Sequence, residues 1–240
     1  DLPRSRRIHR VQLHRRMDRR TNPHHRKTHS DVTMTTIIGI QGDGYCLIAG
    51  DTRIASVDSN GVAYQINTLK TETSKIAVNG KYLIGTAGDL RAINLLTHTL
   101  NPPVCPPNLK GKKLDEFITN KLIPTIKEMF EKNGYTVNEP NTNTNKAEHD
   151  SELLVAINQT LYLIDGDYSW FTDQTGIYAL GTGAAYALGA LHNMPTPKNP
   201  AQAKKHALKA LATASKYDPN TGNPYHTHIQ QTQQKTDKPK

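Results

Sequence analysis

Residues 35–52, TTIIGIQGDGYCLIAGDT, decide the architecture. Two β-rich runs, 35–41 and 45–52, flank Gly42-Asp43-Gly44, and a Gly-containing turn between such runs predicts a β-hairpin. The same grammar continues downstream. Residues 53–74, with Ser59-Asn60-Gly61, predict another hairpin or loop, and the runs 75–78 (KIAV) and 81–88 (KYLIGTAG) flank Asn79-Gly80, the strongest short hairpin signal. The first third of the body is therefore a run of antiparallel strands.

Helical periodicity begins after Asp89, a predicted N-cap, and stops before Pro102-Pro103. A longer helix is predicted from about Leu114 to Lys132, with Asn133-Gly134 as its stop and Pro124 as a kink. Residues 135–150 lack an apolar face and read as a solvated loop. Strands return at 152–158, 161–168 and 175–183, followed by helices at 184–192 and from Asn199-Pro200 to Tyr217, and by a last strand at 225–231. Strands and helices are grouped rather than alternating, so a doubly wound sheet is excluded. Two antiparallel sheets stacked on each other, each with a helical layer outside, satisfy every apolar face. The expected fold is an α+β, four-layer αββα sandwich spanning residues 35–231.

Composition supports a single body with an unlike extension. Hydrophobic residues make up 35% of the 240, and the charge is unevenly spread. Residues 1–33 hold ten of the thirty Lys and Arg and three of the twenty-one acids, so +7 of the formal +9 lies there. This Arg/His-rich arm could neutralise phosphates. Its abrupt change of basic residue marks it instead as a leader or upstream extension, residues 1–34, to be set aside from fold reasoning. Residues 232–240 read as a disordered tail. No apolar run approaches a membrane span, and Cys46 and Cys105 have no partner spacing, which fits a reducing, cytoplasmic setting without disulfides or a zinc site.

The chemistry turns on Thr35. A hydroxyl is a poor nucleophile unless a base adjoins it, and a chain-terminal Thr carries its own base, the α-amine, whose pKa of about 7.7–8.0 suits proton transfer. Met34 before a small residue offers a trimming point that frees that amine. Downstream stand Asp51 in GDTR, sixteen residues after Thr35, Lys75 in SKIAVNGKYLIGTAGD, LGTG at 180–183 and DPNTG at 218–222. In this order and spacing the chain resembles the proteasome β-subunit family of N-terminal-nucleophile hydrolases, from Thr35 to about Gln231. The resemblance implies a threonine peptidase with Thr35 as nucleophile, Lys75 as the neighbouring cation, Asp51 as its partner and Gly85 as oxyanion donor. It implies further that Thr182, Asp218 and Thr221 hold the amine and a water, that the backbones of Ala55 and Ala87 pair with an extended substrate, and that Leu83 lines the pocket for the residue before the cut. No cofactor or metal is expected. The implied partners are a peptide or unfolded-protein substrate, further copies of the chain in a ring, and an ATP-driven unfoldase.

Two departures accompany the resemblance. About eight extra residues lie between Asp51 and Lys75, and Met34 stands where self-processing members have Gly, which favours translation from Met34. The competing readings are a catalytically silent ring subunit and a nucleic-acid-binding protein using the basic arm. GTGAAY at 181–186 fails as a dinucleotide fingerprint because its sixth residue is Tyr186. His226 and His228 lack a third ligand and read as surface histidines.

Overall fold

Side chains alternate between opposite faces along each strand, and here the alternation feeds three separate apolar cores. The computed structural model describes residues 32–33, 35–57, 63–70, 73–135 and 149–231. The arm to residue 31, the Ser59-Asn60-Gly61 turn, most of the 135–150 loop and the 232–240 tail lie outside the described residues. The strands are β1 (Val32–Thr33), β2 (Ile37–Gly42), β3 (Tyr45–Asp51), β4 (Arg53–Val57), β5 (Ala63–Thr68), β6 (Ile76–Asn79), β7 (Tyr82–Asp89), β8 (Ser151–Ile157), β9 (Thr160–Ile164), β10 (Trp170–Phe171), β11 (Ile177–Leu180) and β12 (Tyr225–Gln231). The helices are α1 (Leu90–His98), α2 (Lys112–Phe117), α3 (Ile123–Lys132), α4 (Ala184–His192) and α5 (Pro200–Tyr217).

One antiparallel sheet runs β1-β7-β8-β9-β10, with β6 also on β7; a second runs β11-β2-β3-β12; β4 and β5 form a separate hairpin. Within the second sheet, Ile38, Ile40, Leu47 and Ala49 point to α4 and α5, whereas Ile37, Cys46 and Ile48 point to the first sheet. In the first sheet, Ile84, Leu153 and Val155 face α1–α3, whereas Leu83, Leu154 and Ala156 face inward. Four layers and three cores result, which is the αββα sandwich expected from the grouping of elements. Each fully buried Ile or Leu contributes roughly 1.5–3 kcal/mol, so all three interfaces hold the layers together.

Local chemistry accounts for the details. Asp89 caps α1 by accepting from the Arg91 amide, and Asn199 caps α5 through the Gln202 amide. Ala203, Ala207, Ala210 and Ala214 let α5 lie close on β2 and β3. Between the sheets, a Cβ at Gly50 or at Gly85 would stand 2.7 Å from an Ile37 methyl, so both glycines are packing residues. The kink expected at Pro124 takes another form: residues Ile118–Leu122 make a π-helical turn, with Ile123 N–H bonded to Ile118 O, immediately before the proline. Widening one turn absorbs the donor that proline lacks, and the helix continues into α3. Strand β10 was not expected, because Trp170-Phe171 is too short to show a period.

Candidate active site

Thr35 sits just before β2, at the mouth between the two sheets, and is fully buried. Lys75, the residue before β6, is held by the Thr86 amide on its carbonyl (3.0 Å) and sends its side chain to the same place. Its Nζ donates to Thr35 Oγ1 at 2.9 Å and to Asp51 Oδ1 at 2.8 Å, and also to the Arg53 carbonyl. The ion pair has no solvent exposure on either side chain. Burial pulls the Lys75 ammonium below the ordinary lysine range, with Asp51 pulling the other way.

Asp51 ends β3, and both its oxygens are used. Oδ1 accepts from the Thr36 amide (3.0 Å) as well as Lys75; Oδ2 accepts from the amides of Arg53 (3.0 Å) and Gly222 (3.1 Å). One carboxylate thereby ties four distant stretches of chain together, and it fixes Lys75 in direction.

A second constellation stands behind the first. Asp218 Oδ2 accepts from Thr221 Oγ1 (2.6 Å) and Thr182 Oγ1 (2.8 Å), and Thr36 Oγ1 lies 2.6 Å from Thr221 Oγ1. Because Thr221 gives its proton to Asp218, Thr36 is the donor in that pair. These hydrogen bonds reach the residue after Thr35. The turn carrying Thr182 needs both of its glycines: Gly181 has φ +83°, and a Cβ there would fall 1.9 Å from the Thr35 carbonyl oxygen. At Gly183 a Cβ would meet the Thr36 hydroxyl at 2.1 Å.

Ladder parity sorts the remaining expected residues. Hydrogen-bonding direction alternates along an antiparallel strand. The Thr86 amide bonds to Lys75, so even-numbered residues of β7 turn toward β6 and β1, and odd-numbered ones toward β8. Gly85 therefore gives its N–H to the β8 ladder opposite Leu154, and Ala87 likewise pairs with Glu152. Neither backbone faces Thr35's surroundings as expected. Leu83 pairs with Val78 and Ala156 toward the far end of β7 and belongs to the inter-sheet core, away from the site. Gly88 is the residue that turns outward, with φ +133° and Thr33 opposite it. The one-residue difference flips the direction of every group on a strand, and the GTAGD segment alone does not show which glycine ends the ladder.

The Leu69 amide bonds to Thr52 O, so Ala55 turns its backbone away from β5 toward the space that β1 enters. An extended groove thus lies between β4 and the end of β7, and Val32–Thr33 occupy it. Thr36, Arg53, Gly88, Gly181 and Gly222 take part in the arrangement without having been singled out. The Thr35-Thr36 doublet was the one visible signal.

No family model matches the sequence, and no curated protein sequence does. Solved structures do match. BPH from Thiobacillus denitrificans superposes with a TM-score of 0.60 at 20% identity, covering 82% of this chain and 98% of that one. Eukaryotic HslV from Trypanosoma brucei gives 0.54 at 20%, covering 82% and 100%. The Anbu complex of Pseudomonas aeruginosa, solved as a helical assembly, gives 0.53 at 19%, covering 82% and 81%. The chain has the sandwich fold of HslV- and proteasome-like N-terminal-nucleophile hydrolases.

Proposed function

We propose that this protein is a threonine peptidase that cuts peptide bonds through an ester on Thr35. The observation that carries the reading is the buried Lys75 ammonium, 2.9 Å from the Thr35 hydroxyl and 2.8 Å from Asp51. A cation at that distance stabilises developing negative charge on the oxygen in a low-dielectric site. The Thr35 oxygen attacks the substrate carbonyl and its proton passes to the freed α-amine. The C–N bond then breaks, and the proton goes to the departing amine. Water adds to the ester, again with the α-amine as base, and releases the acid.

Gly88 is the better-placed oxyanion donor, because its amide lies on the edge that faces the residues preceding Thr35. Thr182, Asp218 and Thr221 hold the backbone around Thr35 and Thr36 and order the water. An extended substrate follows the groove beside Ala55, as an added strand. The Anbu neighbour, solved as a helical assembly, suits assembly from several copies of this chain, and the unfoldase partner rests on resemblance alone. No described helix is long and apolar enough to cross a membrane.

The test is hydrolysis of unfolded protein and of short blocked peptides by the wild type and by Thr35→Ala. Turnover is expected in the first and none in the second, with unchanged circular dichroism. Equal rates would remove Thr35 from the mechanism.

A further inference from the structure

A cavity of about 590 Å³ opens beside the candidate nucleophile, and its walls are of one sign. Ala87, Gly88, Gly181 and Thr182 form the side nearest Thr35; Asp150, Glu152 and Asp165 form the other. Asp150 and Asp165 stand exposed at the rim, while Glu152 is half-buried in the wall. Among the described residues no lysine or arginine lines the cavity, and none of the three carboxylates enters an ion pair.

Glu152 holds one partner, the Gly181 amide at 3.4 Å, which links it to the turn packed against the Thr35 carbonyl. Desolvation raises its pKa, with Asp165 adding to the effect, as expected of a carboxylate that lacks a countercharge. His149 is an independent sign of an absent partner. It belongs to the same wall, is 4% exposed, and neither ring nitrogen has a hydrogen bond. Burial keeps it neutral, with its pKa lowered to about 4, so it adds no positive charge to the wall.

The cavity's position says which part of a substrate it meets. Residues 32–33 run along the outer edge of β7 beside β4, the path of the chain on the N-terminal side of Thr35. The cavity lies across Gly88 from that path, against β8 and Thr182. We propose that it binds a lysine or arginine side chain from the substrate segment on the C-terminal side of the cut, with Glu152 as the inner anion and Asp150 and Asp165 at the rim. The assignment of that segment rests on the peptidase reading; the cation site itself does not.

Two measurements separate these. In the Thr35→Ala protein, binding of a short arginine-containing peptide amide is compared calorimetrically with its citrulline counterpart, which has the same shape without charge. The arginine peptide is expected to bind about tenfold or more tightly, and Glu152→Gln and Asp165→Asn are each expected to shrink that ratio severalfold. Equal binding of the two peptides, or a ratio untouched by both substitutions, overturns the proposal. In wild type, peptides with arginine after the cut should be cleaved faster than citrulline ones, and a preference for arginine before the cut overturns the placement. Arginine-selective binding without any hydrolysis upholds the cation site and removes the peptidase reading.

Discussion

Lys75 has three hydrogen-bond acceptors around one nitrogen: a hydroxyl, a carboxylate and a carbonyl. Because its pKa is lowered, the folded protein releases this proton before the unfolded chain does. Stability therefore rises with pH between the folded and unfolded values, the span in which only the unfolded chain holds the proton. Activity should show a descending limb as pH rises through the folded value, because deprotonation removes the cation beside Thr35. Lys75→Arg, charged throughout, should flatten that limb in a plot of kcat/KM against pH. Asp51→Ala leaves a buried ammonium and three amides without their acceptor, and chemical denaturation should report a loss of about 3–5 kcal/mol.

His149 gives a second pH signature. Its imidazole lies against the rings of Phe130 and Tyr168, with centroids 5.1 and 4.8 Å away. The unfolded chain protonates this histidine near its ordinary value, the folded protein only near 4. Stability should thus be lost as pH falls from about 6.5 toward 4, by on the order of 3 kcal/mol. Urea midpoints measured for wild type and His149→Leu should shift in favour of the variant as the pH is lowered, because only the wild type carries this histidine.

Among elements, hairpins were the most legible, since Gly42-Asp43-Gly44 and Asn79-Gly80 write the turn directly into the sequence. Caps at Asp89 and Asn199 were equally plain. The nucleophile and the lysine could be singled out because each stands just before a strand, and the acid because it ends one. Gly85 and Ala87 were misassigned to the groove because hydrogen-bond direction depends on register, which a single strand's sequence does not contain. Their difference from Gly88 is testable. Gly85→Val forces a branched side chain against Ile37 and Ile48 and should cost about 1–3 kcal/mol of stability. Gly88→Val is strained as well, at φ +133° with a Cβ 2.4 Å from the Asp150 carbonyl oxygen, and it should lower kcat beyond its loss of stability, which a thermal melt set beside a rate measurement separates.

At the scale of the molecule, β1 has a functional meaning. While the chain continues back through Met34, the groove holds Val32–Thr33 and the Thr35 nitrogen is locked in an amide. Protein whose intact mass includes residues before Thr35 should be inactive, and protein beginning at Thr35 should be active. The expectation of assembly came from resemblance alone, since interfaces between copies leave no period in one chain.

The Asp51 carboxylate accepts from Gly222, which follows the last helix and precedes the last strand. A ribosome must therefore deliver nearly the entire body before the last donor to this carboxylate is in place. On the peptidase reading, chains that stop short of Gly222 should be inert toward themselves and their neighbours.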